Sequence, residues 1–335
     1  KEKSAKKGGA RMHKSVAAAA IAVMALGATT SASAEIEERV LHAAYVYPPG
    51  TIWHDTTERF AEAVTERTGG KVTFQIAHSG MTGSWEQLIE GLQIGTNDIV
   101  LESIGTLDRY DPLPGVEAFP YLVRDLDHFN AIYYGDVGAA FMDEVSERTG
   151  FRIVGAGYRG ARKLSANRAV ESVDDLAGLR LRVPPLRMYR QTWEYLGASP
   201  TPMPATEIYT GLQQGIIDGQ ENPLEFIDSM NVYEVQSHIM NTDHVIGAMT
   251  YIFDQARFDS YEPELQEILI EEGNAAMRWG SERMLEMENE YIRTFEEAGV
   301  TIISPDLEPF RERVAPMAAE FPELAEWVER FQSVE

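Results

Sequence analysis

The most specific part of this chain lies between Gly155 and Pro223 and reads GYRGARKLSANR (157–168), DLAGLRLRVP (175–184), LGASPTPMPATEIYTGLQQG (196–215) and IIDGQENP (216–223). Five arginines lie between Arg159 and Arg182, although the formal net charge of the chain is −24. In a strand, the alternation of LRLRV would put Arg180 and Arg182 on one face. Because a guanidinium group matches a carboxylate through two hydrogen bonds, the pattern indicates a site for a small anion.

Length and composition limit the classes of protein to consider. The 335 residues suffice for two domains, and the hydrophobic content of 44% is typical of a globular protein. The chain contains no cysteine, which excludes disulfides, thiolate metal sites and a cysteine nucleophile within it. Its acidity argues against nucleic acid and against anionic membrane surfaces as partners.

The first 34 residues resemble a signal peptide. Basic residues precede an apolar run over 16–28, and Ala32-Ser33-Ala34 has the form of a cleavage site. Met12 would open a signal peptide of ordinary length, so that residues 1–11 could lie upstream of the true start. Residues 1–34 hold six of the 29 Lys and Arg and one of the 53 Asp and Glu, which leaves a net charge of −29. We expect a periplasmic protein of a Gram-negative cell from a salty habitat, where ions screen this charge.

Beyond residue 34, short β-like runs alternate with helical ones, which predicts an α/β protein. The predicted strands are 40–47, 71–77, 98–103, 151–157, 179–183, 244–253 and 300–304. The predicted helices are 51–67, 84–94, 125–148, 185–196, 206–214 and 224–233. The residues from Asp218-Gly219 to Asn222-Pro223 predict a sharp turn.

The run from Glu262 to Ala298 predicts one helix of about 35 residues, which would span roughly 50 Å. That is longer than a small domain, so we expect the helix to run behind two lobes, with Gly273 and Gly280 as candidate bends. The segments GLQIGTND (91–98) and GLQQGIID (211–218) share the pattern GLQxGxxD. One interpretation is that a common helix-to-strand connection occurs twice by chance. The other is that the chain forms two lobes of similar topology. Two lobes would enclose a cleft, where ligand sites are frequent.

Other motifs give weak signals. GAGYRG (155–160) matches GxGxxG, but ARKLSANRAV after it lacks the apolar helical stripe that a dinucleotide-binding turn needs. The histidines are scattered without HExxH spacing, and neither GxSxG nor SxxK occurs after residue 34. We therefore predict no catalytic residues, no metal site and no cofactor.

The chain resembles the solute-binding proteins of TRAP transporters, the tripartite ATP-independent periplasmic transporters of the DctP-like family. The resemblance is carried by GARKLSANR, DLAGLRLRVP, LGASPTPM, EIYTGLQQG and IDGQENP, and supported by FAEAVTERTGGKV (60–72) and LQIGTNDIVLES (92–103). It implies a two-lobed, type II-like periplasmic binding protein with hinge strands and a long helix spanning both lobes. The predicted lobe I is 35–159 plus 248–287, and the predicted lobe II is 160–247 plus 288–335.

The resemblance also implies six ligand-binding residues: Arg182, Arg162, Asn222, Glu102, Tyr47 and Ser84. Arg182 would be the principal carboxylate clamp, Arg162 the second arginine, and Asn222 a donor to the same carboxylate. Glu102 would accept hydrogen bonds from hydroxyl or amine groups of the ligand. Tyr47 and Ser84 would contact its far end.

The function implied is that of a non-enzymatic, monomeric periplasmic protein that captures an organic acid and delivers it to the small and large TRAP membrane subunits. A sugar acid such as a hexuronate is the favoured ligand. C4-dicarboxylates, keto acids, ectoine-like zwitterions and aromatic acids remain alternatives. So do an ABC-importer binding protein, a sensor-associated binding protein and, remotely, an NAD-dependent oxidoreductase.

Overall fold

A computed structural model describes residues 35–335, so the predicted signal peptide at 1–34 lies outside the described residues. Within the described range the chain forms eleven strands and eleven α-helices. The strands are β1 (Arg39–Ala44), β2 (Val72–Ala77), β3 (Ile99–Ser103), β4 (Phe151–Ala161), β5 (Lys163–Ala166), β6 (Arg180–Val183), β7 (Ser199–Pro202), β8 (Gly219–Asn222), β9 (His238–Met240), β10 (Ile246–Asp254) and β11 (Thr301–Ile303). The helices are α1 (Ile52–Arg67), α2 (Trp85–Ile94), α3 (Leu126–Tyr133), α4 (Asp136–Thr149), α5 (Arg187–Leu196), α6 (Ile208–Gln213), α7 (Leu224–Ser229), α8 (Gln255–Asp259), α9 (Pro263–Glu297), α10 (Glu308–Val314) and α11 (Ala325–Gln332).

The strands form two sheets. The first has the order β2-β1-β3-β10-β4, and the second has the order β11-β9-β5-β8-β6-β7. In the first sheet β1 pairs in parallel with β2 and β3, whereas β10 is antiparallel to β3 and β4. The mixed sheets with their crossover helices confirm the predicted α/β class.

Each sheet contains the same βαβαβ unit. In the first, β1, α1, β2, α2 and β3 follow one another, with β1 between its two parallel partners. In the second, β6, α5, β7, α6 and β8 do the same, with β6 between β7 and β8. The carboxyl ends of parallel strands are the usual place for ligands in such sheets, which makes the ends of β3 and β8 equivalent candidate positions.

The two GLQxGxxD segments have matching local geometry. Each begins near the end of a helix, and its second glycine adopts a positive φ, +80° at Gly95 and +68° at Gly215. The final aspartate then accepts a bond from the backbone of the central strand, from His42 to Asp98 at 2.8 Å and from Arg180 to Asp218 at 3.0 Å. This agreement supports two lobes of similar topology over a chance repetition.

The chain passes from one sheet to the other three times, twice through short segments that touch each other and once through 255–300, which contains α9. The first crossing is Arg162, the single residue between β4 of the first sheet and β5 of the second. The second is 241–245, between β9 and β10. The backbone N–H of Arg162 donates to the carbonyl of Val245 at 2.9 Å, so the two crossings are hydrogen-bonded to each other.

Helix α9 has 35 residues and contacts elements of both sheets, β4 and β10 of the first and β11 of the second. Its glycines provide close approach: a Cβ at Gly273 would lie 2.6 Å from Cγ1 of Val154, and one at Gly280 would lie 2.7 Å from Oγ1 of Thr56. The predicted single long helix is therefore present, and its glycines are positions of tight packing against β4 and α1.

Several local predictions were wrong. The helix predicted over 125–148 is divided into α3 and α4, because Gly135 adopts an extended conformation (φ −104°, ψ −179°). The turn predicted over 218–223 is instead strand β8, whose four residues are all buried. GAGYRG lies inside β4, so the helix that a dinucleotide-binding turn requires does not follow it. Helices α10 and α11 were not predicted; α10 packs on α5, and α11 packs on α4.

Candidate functional site

A cavity is lined by residues from both sheets. Three arginines, Arg159, Arg162 and Arg182, line the cavity together with Glu102 and Asn222. Four of the six sequence-predicted residues thus meet at one place, with Glu102 near the end of β3 and Asn222 at the end of β8.

Arg182 has the least compensated charge in the cavity. Strand β6 holds it 2% exposed, and its Nε donates to the carbonyl of Met203 at 2.8 Å. Among residues 35–335, no carboxylate lies within the 4.0 Å of its guanidinium that would make an ion pair. Burial lowers the pKa of Arg182 to about 10, although Glu221 opposes this shift. Such a group gains most from an anionic ligand.

Arg162 is held by protein partners. Its Nε lies 2.5 Å from Oε2 of Glu221, and its Nη2 lies 2.8 Å from Oε1 of the same carboxylate and 2.9 Å from Oδ1 of Asn222. Burial opposes ionisation of Glu221, but the charge of Arg162 and hydrogen bonds from His244 and Arg162 outweigh it and lower the pKa of Glu221 to about 2. Nε2 of His244 lies 2.8 Å from Oε2 of Glu221, so this network also reaches the second crossing. Arg162 is therefore fixed in place at the cavity wall.

Asn222 is similarly oriented. Its Nδ2 donates to Oε1 of Gln220 at 2.7 Å, and the amide of Gln220 donates to the hydroxyl of Ser165 at 2.9 Å. The second hydrogen on Nδ2 remains for a further acceptor. The amide thus lies next to Arg162 with its orientation determined by the strand.

Glu102 and Tyr47 are linked through Arg159. Nη2 of Arg159 donates to the hydroxyl of Tyr47 at 2.6 Å, and its Nη1 lies 3.9 Å from Oε1 of Glu102. Burial raises the pKa of Glu102, whereas Arg159 and the N–H of Ser103 oppose the rise. Tyr47 is fully buried and does not line the cavity, so it contacts Arg159 on the side away from the cavity.

Ser84 is not brought to the cavity. It precedes α2, and its backbone N–H donates to Oε1 of Gln87 at 2.9 Å, which caps the helix. The next residue, Trp85, lines the cavity instead. A ligand role for Ser84 has no support in this arrangement.

Arg159 was missed because regular alternation does not group it with Arg162. Residues three apart on a strand normally point to opposite faces. Here β4 has a register shift, with Ala161 opposite Ile246 but Tyr158 opposite Ala248, and Gly160 adopts a φ of +82°. The bulge brings both arginines to the cavity.

Two further buried groups gave no clear signal in the sequence. Tyr189 of α5 lines the cavity, and its ring lies 4.9 Å from the guanidinium carbon of Arg162. Glu225, at the start of α7, is 1% exposed, and neither carboxyl oxygen has a hydrogen-bond partner in the described part of the chain. Burial raises the pKa of Glu225 to about 8, with Arg159 opposing the rise. Glu225 is therefore mostly protonated at neutral pH.

Away from the cavity, His54, Asp55 and Glu58 have potential metal-ligand atoms within 4.8 Å of one another. Nδ1 of His54 lies 2.9 Å from the hydroxyl of Tyr45, and its Nε2 lies 3.2 Å from Oε1 of Glu58. Both ring nitrogens thus have protein partners, and the two carboxylates are exposed. This arrangement is explained by hydrogen bonding at the start of α1.

The model of the DctP family, bacterial extracellular solute-binding protein family 7, matches residues 43–324. The chain belongs to this family. The predicted membership of the TRAP solute-binding proteins is confirmed, and the family match favours this class over the ABC-importer alternative. Within residues 35–335, no helix combines the length and the apolar character needed to cross a membrane.

Relatives in the DctP family resemble the chain over most of its length. The sialic acid-binding periplasmic protein of Vibrio cholerae is 29% identical over 301 residues, which cover 90% of this chain and 93% of that protein. A TRAP periplasmic solute-binding protein from Roseobacter denitrificans, solved with bound L-galactonate, has a TM-score of 0.82 at 28% identity and covers 87% of this chain and 99% of its own. One from Xanthobacter autotrophicus, solved with bound β-D-galacturonate, has a TM-score of 0.84 at 26% identity and covers 88% of this chain and 100% of its own.

Proposed function

We propose that this protein captures a sugar acid in the periplasm, without converting it, and delivers it to the small and large membrane subunits of a TRAP transporter. Arg182 is the carboxylate clamp, Arg162 and Asn222 complete the acid-binding end, and Glu102 accepts from the ligand's hydroxyl groups. The observation that carries the proposal is the guanidinium group of Arg182, which is buried in the cavity and has no carboxylate of residues 35–335 within 4.0 Å.

The chemistry of the rest of the cavity supports a hydroxylated ligand. Besides the arginines, the lining contains the polar groups of Glu102, Ser103, Thr106 and Tyr189 beside the ring of Trp85. Sugar hydroxyls need several donors and acceptors, which an aliphatic acid would leave without partners. The bound L-galactonate and β-D-galacturonate of the two solved relatives belong to the same chemical class.

A thermal-shift screen tests the ligand class. Purified protein is heated with D-galacturonate, D-glucuronate, L-galactonate, succinate, pyruvate and benzoate. Because a ligand that binds the folded state raises the melting temperature, at least one sugar acid should raise it by several degrees and more than the other three acids do. A rise produced by succinate, pyruvate or benzoate alone would show that the ligand class is wrong.

Calorimetric titration of the best sugar acid tests the clamp. Arg182→Ala should weaken binding at least tenfold, since losing one partner of a buried charge pair costs roughly 2–5 kcal/mol. Arg182→Lys should also weaken it, because an ammonium group cannot form the paired contact. The matched control is Arg180→Ala on the same strand, since Arg180 is exposed and paired with Asp218. Equal affinities in Arg182→Ala and Arg180→Ala would contradict the proposed clamp.

Uptake measurements test delivery. Cells carrying the protein and its cognate membrane subunits should import the sugar acid only while a sodium gradient is present. Uptake that continues after the sodium gradient has been collapsed, and that depends on ATP, would favour an ABC-type importer. Binding without any uptake would favour the sensor-associated role.

A further inference from the structure

The three cavity arginines differ in the carboxylates that face them. Arg162 is paired with Glu221 through two nitrogens, at 2.5 Å and 2.8 Å. Arg159 faces Glu102, with 3.9 Å between Nη1 and Oε1. Arg182 faces none within residues 35–335. A single positive charge is thus left without an opposing carboxylate, and one ligand carboxylate neutralises it.

The contact between Arg159 and Glu102 is incomplete. The separation of 3.9 Å exceeds the roughly 3.2 Å limit of an N–H···O hydrogen bond. Both residues are buried, at 8% and 6% exposed, and both line the cavity. Nη2 of Arg159 is used by Tyr47, whereas Nη1 has no hydrogen-bond partner in the described part of the chain. Nη1 is therefore a free donor beside a carboxylate acceptor.

A hydroxyl group fits this pair of atoms. It accepts from Nη1 and donates to the carboxylate with one oxygen, which a carboxylate cannot do because it only accepts. A second ligand carboxylate at this position would also lie beside the negative charge of Glu102, and like charges in a buried site repel each other strongly. Of the other acidic groups near Arg159, Glu225 is mostly protonated at neutral pH, as its raised pKa of about 8 implies, and burial raises the pKa of Glu117 to about 7.

We propose that Arg159 and Glu102, on the two strands β4 and β3 of the first sheet, form a hydroxyl-binding subsite separate from Arg182 on β6 of the second, and that the site consequently selects hydroxylated monocarboxylic acids and rejects the corresponding diacids. This inference rests on the proposed sugar-acid function and adds a specificity-determining residue, Arg159, to it. The bulge at Gly160 is what presents Arg159 beside Arg162.

Calorimetric titrations with matched pairs of acids test the selectivity. Each pair contains a monoacid and the diacid with the same carbon chain: L-galactonate with galactarate, D-glucuronate with D-glucarate, and D-galacturonate with galactarate. The wild-type protein should bind the preferred monoacid at least tenfold more tightly than its diacid. A diacid that binds as tightly as its monoacid would overturn the proposal.

A double-mutant cycle tests whether Arg159 and Glu102 hold the same hydroxyl. Arg159→Met and Glu102→Gln should each weaken the preferred monoacid at least tenfold. The double variant should be no more than about threefold weaker than the weaker single variant, because neighbouring residues with a shared partner are not additive. Effects that multiply in the double variant would overturn the shared subsite.

Folding is controlled separately. The melting temperature of each unliganded variant is compared with that of Arg180→Gln, an exposed position on β6 that should leave all affinities unchanged. If Arg159→Met does not fold, Arg159→Lys replaces it, and the same non-additivity with Glu102→Gln is required. If none of the five acids binds the wild-type protein, the proposed function and this subsite are both wrong. If the protein binds a sugar acid but binds a diacid at least as tightly as its monoacid, only the proposed subsite is wrong.

Discussion

Arg180 and Arg182 lie two residues apart on β6, yet their surroundings are opposite. Arg180 lies at the start of the strand, exposed, with Nη2 2.5 Å from Oδ1 of Asp218. Arg182 is buried in the cavity and, within residues 35–335, donates one hydrogen bond, to the carbonyl of Met203. The burial of β6 does not alternate, since only Arg180 is exposed and the next three residues are buried, so the position along the strand decides which arginine is enclosed. That position determines which charge is available to a ligand.

Glu225 should make stability dependent on pH. Burial raises its pKa from 4.5 to about 8, so the folded state binds this proton more tightly than the unfolded chain does. The stabilisation is complete below pH 4.5 and is lost as the pH rises through 8, with each pKa unit worth about 1.4 kcal/mol. The wild-type melting temperature should therefore fall between pH 5 and about 8.5.

Glu225→Gln should reduce this fall by several degrees in thermal unfolding at the two pH values, because glutamine carries no titrating proton. Glu207→Gln, at an exposed position before α6, is the matched control and should retain the wild-type dependence. A Glu225→Gln variant with the same pH dependence as Glu207→Gln would mean that the Glu225 carboxyl group is hydrated in the folded protein.

At the level of individual residues, the sequence predicts the polar side chains that belong to the motifs shared with the family. Arg162, Arg182, Asn222 and Glu102 line one cavity, as expected from the resemblance. Arg159 was not predictable, since its direction depends on a bulge in β4. The helix-capping role of Ser84 depends on where α2 begins, which periodicity defines only to within a few residues.

Among the elements, α9 depends on close packing at its glycines. Gly273→Val should destabilise the protein by roughly 1–3 kcal/mol, because the added side chain meets Val154 of β4 in a space without room for it. Asn274→Val on the exposed face of the same helix is the matched control, because valine and asparagine have similar helix propensities and this position is not packed against β4. Urea unfolding measures both. Equal losses in the two variants would show that β4 and α9 adjust without strain.

The elements with clear periodicity were predicted well, and the short ones were not. Helices α1, α2 and α9 differ from their predicted bounds by one residue at most. Strand β8 was mistaken for a turn because Gly219–Asn222 is polar, and polar runs normally lie in loops. Its side chains are buried through partners distant in sequence, such as Ser165 for Gln220 and Arg162 for Glu221. Local sequence cannot reveal such pairing.

For the whole molecule, salt should increase stability. Residues 35–335 carry a net charge of −29, and self-repulsion within a folded chain weakens as ions screen it. The melting temperature should rise between low salt and about 1 M NaCl, where the Debye length is roughly 3 Å. Sucrose at matched water activity controls for the general effect of excluded solutes. A melting temperature that is the same across this range of NaCl would contradict the expectation of a salty habitat.

The overall architecture was predictable in kind but not in its boundaries. The repeated GLQxGxxD segments do mark two βαβαβ units of the same topology. The limits of the two lobes remain a prediction. The last 28 residues show why they are difficult to assign from sequence, since α10 packs on α5 beside the second sheet whereas α11 packs on α4, which lies against β4 of the first.

The lone buried charge of Arg182 has a consequence for the unloaded carrier. Enclosing a guanidinium group without a counter-ion is costly, so any motion that parts the two sheets and lets water reach it is favoured while the cavity is vacant. An acid that binds Arg182 removes that penalty and stabilises the closed form of the cavity. Under the proposed function, membrane subunits that recognise only the closed form would then not bind the empty protein.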